Sequence, residues 1–254
     1  MSEFWFAILL TTLAGISTSL GALISLFVRQ PGGLFMSLAL GFSAGVMILV
    51  SFVELLPQGI NGVGFAYAHL TFFVGMLAMY VIDVVVPHSF GAEEQEGLHT
   101  HNHKLLRTGL FVALGLAIHN FPEGMATFVS TLAKPSLGTA LAIAIAIHNI
   151  PEGIAVAAPV YSATGSHMKA FVWSTISGLA EPIGAFLAAA VLLPILNETV
   201  LAVVLALVGG IMVYIALDEL LPASREYGRE HDSILGALAG MLVMAASLYL
   251  LKTS

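Results

Sequence analysis

One polar hexapeptide is written twice in an otherwise apolar chain: His119-Asn120-Phe121-Pro122-Glu123-Gly124 and His148-Asn149-Ile150-Pro151-Glu152-Gly153. Glu181, within Gly178-Leu179-Ala180-Glu181-Pro182, stands alone in a third apolar run. On a helix, His at i and Glu at i+4 lie about 40° apart, and Asn at i+1 falls within the same third of the circumference. Each copy therefore offers an imidazole, an amide and a carboxylate to one centre. The prolines lack a donor and release the carbonyls of Ile118 and Ile147, which bends a helix and adds an oxygen. The glycine after each glutamate permits close helix approach. Imidazole with carboxylate suits first-row divalent ions such as Zn²⁺ and Fe²⁺, whereas Ca²⁺ and Mg²⁺ prefer all-oxygen sites. The chemistry indicated is a transition-metal site.

The elements that carry these residues are set by composition. Of 254 residues, 58% are hydrophobic and 9% charged, against about 25% charged in a soluble domain. Eight Lys and Arg against fifteen Asp and Glu leave no basic surface for nucleic acid. With no cysteine there is neither a disulfide scaffold nor a thiolate site. Eight runs reach the roughly 20 residues that a span needs: Phe4–Val28, Leu34–Leu56, Phe65–Val86, Leu106–Ser130, Leu137–Val160, Ala170–Leu193, Val200–Leu221 and Ile234–Leu251. The first is too long for a signal segment. A β-barrel is excluded, because apolar and polar residues do not alternate. The expected fold is an all-α polytopic membrane protein of one domain, 1–254, whose only substantial loop is His88–Leu105. Arg29, Lys104, Arg107, Lys169, Arg225 and Arg229 fall on one side of the eight spans, and only Lys134 and Lys252 on the other. The positive-inside rule then puts the loop in the cytoplasm and both termini outside.

The chain also resembles itself. Gly45-Val46-Met47 … Glu54-Leu55-Leu56-Pro57 matches Gly210-Ile211-Met212 … Glu219-Leu220-Leu221-Pro222, and Gly75-Met76 matches Gly240-Met241 at the same spacing. With a two-residue slip, Gly15 and Gly21-Ala22 match Gly178 and Gly184-Ala185. Helices 1–3 thus repeat as helices 6–8 around helices 4–5. Matched helices are an odd number apart, so the repeat is inverted, as in transporters whose sites lie near mid-membrane. At that depth an ionisable group costs about 2.5–3.5 kcal/mol, so three glutamates oppose folding by roughly 8–10 kcal/mol unless compensated. No Lys or Arg lies nearby to compensate, which leaves the role to a bound cation.

The paired motifs, the eight spans and the His-bearing third loop resemble the ZIP (Zrt-, Irt-like) metal-transporter family over essentially the whole chain, most closely its bacterial ZupT-type branch. The resemblance implies uptake of Zn²⁺, with Fe²⁺, Mn²⁺, Co²⁺ and Cd²⁺ as further candidates, across the inner membrane into the cytoplasm. It implies two adjacent sites, one from His119, Glu123, Glu152 and Met47, the other from Asn120, Asn149 and Glu181, with Glu123 and Glu152 bridging both. Many eukaryotic members carry His where this chain has Glu152, so its site is richer in oxygen. Counted with His148 from the second motif, these are the expected metal ligands.

Weaker signals lie around the centre. His99, His101 and His103 suit loop metal sensing, and a merely solvated loop is the alternative. Glu54, at the outer end of helix 2, and Asp218 with Glu219, at the inner end of helix 7, are candidates for the mouths of the path. His69 is expected to bond a neighbouring helix. The rival function is an intramembrane metal-dependent enzyme, but the zincin pattern H-E-x-x-H is absent and none of the eight apolar runs carries the di-metal Glu-x-x-His order. A transporter, not an enzyme, is expected. It needs no resident cofactor, its partners are divalent metal ions and membrane lipid with no nucleic acid, and a homodimer is left open.

Overall fold

Lipid offers backbone groups no hydrogen bonds, so long apolar runs must satisfy them internally as helices. The computed structural model, which describes residues 2–27, 32–85, 98–195, 197–227 and 230–253, contains only helical elements among them. There are eight rods. Helix α1 is Glu3–Phe27. Helix α2 runs through Gly33–Val50, a π-turn at Ser51–Leu55, and Leu56–Val63. Helix α3 is Phe65–Val85, α4 is Leu98–Ala133 and α5 is Pro135–Thr164. Helix α6 is made of His167–Gly178 and Ala180–Leu192 either side of Leu179, with a final 3₁₀ turn at Leu193–Ile195. Helix α7 runs through Glu198–Ile215, a π-turn at Ala216–Leu220, and Leu221–Tyr227; α8 is Glu230–Thr253. Among the described residues, seven rods are long and apolar enough to cross a membrane. The eighth, α4, has 36 residues, about 54 Å at 1.5 Å per residue.

Three expectations are corrected. The segment His88–Leu105 is not wholly a loop, because α4 already begins at Leu98; residues 86–97 lie outside the described residues. Helix 2 does not stop at Leu56, nor helix 7 at Leu221: each continues past its Glu-Leu-Leu-Pro sequence. Proline forbids the ordinary hydrogen bond and crowds the carbonyl four residues back. Here the preceding turn widens instead of ending. The Leu56 and Leu221 amides bond the carbonyls five residues back, Ser51 and Ala216, which is the π geometry. Among the described residues His69 bonds its own helix and not a neighbouring one: its Nδ1 lies 2.7 Å from the Phe65 carbonyl of α3.

The rods form two groups. Helices α1, α4, α5 and α6 pack together, as do α2, α3, α7 and α8, and the contacts between the groups are made chiefly by α2 and α7, with a smaller one from α8 to α5. Close approach is made by glycine. Any side chain at Gly45 would strike the Ala237 backbone of α8, and any at Gly210 the Phe72 backbone of α3. Gly75 meets Leu207, and Gly240 meets Phe42, in the same way. Each of these contacts is the image of the other under the register that matches Gly45 to Gly210. With the two π-turns at equivalent positions, they establish the inverted repeat as a three-dimensional fact.

Candidate metal centre

Helices α4, α5 and α6 bring the polar motifs together. Asn120, Glu123, His148, Asn149, Glu152 and Glu181 are all 0% exposed. Pro122 lies inside α4 and Pro151 inside α5, and neither ends its helix. Their glycines fit the motifs to the neighbouring rods: Gly124 abuts the Glu181 backbone of α6, and Gly153 the Thr18 backbone of α1.

The imidazole of His148 is oriented from both sides. Its Nδ1 lies 3.1 Å from the Ala144 carbonyl, an acceptor, so Nδ1 carries a proton and Nε2 is turned to Glu123. That Nε2 stands 3.2 Å and 3.3 Å from the two Glu123 oxygens. A lone pair facing a carboxylate requires a proton or a metal cation between them. On α2, Ser43 donates to the His148 carbonyl at 3.0 Å, which holds that turn of α5 in place.

Both motif asparagines spend their N–H groups on helix carbonyls. Asn149 donates to Ala14 at 3.0 Å and also to the Glu181 carboxylate; Asn120 donates to Ser177 at 3.3 Å. Both Oδ1 atoms, with Glu181 Oε2, have no hydrogen-bond partner among the described residues. Carboxylates of α4 and α6 thus both reach α5, Glu123 at His148 and Glu181 at Asn149. Buried acceptors of this kind cost energy unless something electropositive meets them.

Most of the expected ligands are therefore gathered, though not all. His119 lies in α4 beside Asn120, and its side chain is outside the described residues, as are those of His99, His101 and His103. Met47 is fully buried in an apolar cluster with Ala144 and Ile145. It lies one helical turn beyond Ser43, on the same face. Among the described residues no three His, Asp or Glu side chains form a group able to hold an ion unaided; the donors are mixed with amide oxygens. Glu54 and Glu219 are not at open helix ends, being only 4% and 7% exposed inside the π-turns, and Gln58 donates to Glu54 at 3.2 Å. Asp218 is exposed and accepts from Tyr214 at 3.1 Å. Motif reading passed over Ser43, Ala14 and Ser177, which anchor the motif backbones and amides. The repeat register signals Ala14 and Ser177, because it makes them equivalent.

The family model described as ZIP Zinc transporter matches residues 91–248. A protein from Chlorobium limicola called Zinc transporter ZupT is 50% identical over 265 residues, covering 99% of this chain and 100% of that one. Zinc transporter ZupT from Campylobacter jejuni is 46% identical, with 98% and 97% covered, and that from Streptococcus mutans 47% identical, with 98% and 99% covered.

Proposed function

The chain belongs to the ZIP zinc-transporter family, and on that premise we propose that it takes up divalent transition-metal cations, Zn²⁺ foremost, across the inner membrane into the cytoplasm. Its relatives are named zinc transporters. Fe²⁺, Mn²⁺, Co²⁺ and Cd²⁺ are further substrates that a mixed nitrogen and oxygen centre accommodates. One observation carries the reading most: Glu123, Glu152 and Glu181 are buried from three helices, and no Lys or Arg is buried among the described residues. The substrate cation supplies the charge that the protein omits.

In this reading the single domain 1–254 holds two adjacent metal positions. His119, Glu123, Glu152 and Met47 serve one; Asn120, Asn149 and Glu181 serve the other, and His148 closes the Glu123 side. Glu123 and Glu152 face both. Both termini lie outside, and the segment before α4 lies in the cytoplasm, by the six-to-two distribution of Lys and Arg. Alternating access follows from one helix group moving against the other around the central ligands. Glu54, Asp218 and Glu219 then belong to the two halves of the path, above and below the centre.

The test is metal flux. Purified protein in liposomes is expected to admit Zn²⁺ without forming any product, and Glu123→Ala or Glu152→Ala to abolish flux while leaving folded protein. Flux that survives both substitutions would overturn the proposal.

A further inference from the structure

The inverted repeat passes through the metal centre itself, and it is not exact there. The register that matches Gly15 to Gly178 makes these glycines mutual neighbours, each closing on the other's carbonyl. It matches Ala14 to Ser177, whose carbonyls accept from Asn149 and Asn120 respectively. It matches Gly21, which abuts the Ile150 carbonyl, to Gly184, which abuts that of Phe121. In the same register Glu181 is matched by Thr18. The backbone agrees: Glu181 sits against Gly124 of the first motif as Thr18 sits against Gly153 of the second.

Chemistry separates the two positions. Glu181 reaches the Asn149 amide. Thr18, which the register makes the equivalent of Glu181, is 0% exposed, and its hydroxyl has no hydrogen-bond partner among the described residues. Asn120 Oδ1 and the hydroxyl of Ser177 are likewise without one. A Cβ added to Gly178, next to Ser177, would stand 3.0 Å from Thr18 Oγ1. Three buried neutral oxygens from α1, α4 and α6 are thus left without a partner among the described residues, on residues joined in pairs, Thr18 lying beside Gly178 and the Ser177 carbonyl accepting from Asn120. Burying a hydroxyl without a partner is costly, and threonine on a helix ordinarily bonds the carbonyl four residues back. Thr11 does so with Ala7 on the same helix.

We propose that Thr18 and Ser177 extend the second metal position on its Asn120 side as a neutral-oxygen subsite for the transported divalent cation, the pseudo-symmetric counterpart of its Asn149–Glu181 side. It rests on the transport reading above. Neutral oxygens hold a divalent ion more weakly than carboxylates, so this side receives and hands on an ion while the charged side retains one. The differences between Thr18 and Glu181, and between Ala14 and Ser177, make the two sides of the centre unequal.

Equilibrium binding of Zn²⁺ to the purified full-length chain tests this, read beside uptake into liposomes. Thr18→Val keeps the shape and removes the oxygen; Thr18→Ser keeps the oxygen. Loss of one neutral interaction is expected to weaken binding and raise the half-saturating Zn²⁺ concentration by roughly three- to tenfold, with Thr18→Ser close to wild type. Ser177→Ala should act in the same direction. In metal-free buffer Thr18→Val should melt no lower than wild type, because it deletes an unsatisfied group. Unchanged binding in Thr18→Val, or equal weakening in Thr18→Ser and Thr18→Val, would overturn the subsite. Wild-type protein that binds Zn²⁺ without transporting it would overturn the transport reading alone, and Thr18→Val would still decide the subsite by its binding.

Discussion

Alanine in place of Gly124 probes the centre without replacing a ligand. The backbone of Glu181 occupies the space that a Cβ would need, and backbone cannot swing aside as a flexible side chain can. The α4 and α6 rods must separate locally, by an amount on the order of 1 Å, the scale at which a positioned group loses about a hundredfold in effectiveness. Overpacking a close contact costs about 1–3 kcal/mol. The initial Zn²⁺ uptake rate of Gly124→Ala is therefore expected to fall by roughly tenfold or more, with a lower melting temperature in detergent. Gly153→Ala, pressed against Thr18, should behave alike. The control is Gly209→Ala, whose added Cβ would meet Leu55 Cβ at 3.3 Å and Phe72 Cε2 at 3.5 Å; slight adjustment accommodates it, and transport should be near normal. Initial rates in liposomes at matched protein density measure all three. Wild-type rates in Gly124→Ala and Gly153→Ala would refute the reasoning, since the close backbone contacts would then play no part in ligand geometry.

Three further outcomes are expected. The native chain has no cysteine, so a single cysteine at position 100 should resist an impermeant thiol reagent applied to intact cells; labelling from outside would reverse the assigned orientation. Replacing His99, His101 and His103 together should change uptake only modestly, and its abolition would move the essential site into the segment that starts α4. Glu54→Gln should raise the half-saturating Zn²⁺ concentration for uptake from outside, whereas Asp218→Asn with Glu219→Gln should slow release inward. Identical effects of the two variants in oriented vesicles would remove both from the path.

The motif helices and the repeat were readable in the sequence because each leaves a pattern that lipid makes unambiguous. His148, Asn149 and Glu152 stand out where every neighbour is apolar, and His148 meets Glu123 as Asn149 meets Glu181. The rod ends were less readable. Proline after Glu54-Leu55-Leu56 reads as a stop, but a π-turn lets the helix continue, and that depends on packing against α7 and α3. Residues 98–105 look polar enough for a loop, and they form the start of α4. Thr18 was invisible for a different reason. A threonine in an apolar run usually serves its own helix, and only the match to Glu181 across the assembled repeat marks it out.

The third helix of each repeat packs on the second helix of the other: α8 on α2 and α3 on α7. On α2 the face offered to α8 carries Gly41 and Gly45, which close against Ser233 and Ala237. Neither repeat can therefore complete its own interior. A chain leaving the ribosome at about 5–20 residues per second presents that face on the order of 10–40 s before its partner arrives. Throughout that interval the nascent protein has a spanning helix with an unfilled groove, shielded only by lipid or by the insertion machinery. A product truncated before α8 would keep the groove open permanently, and membrane quality control would see it as unfinished however well its first seven helices were inserted.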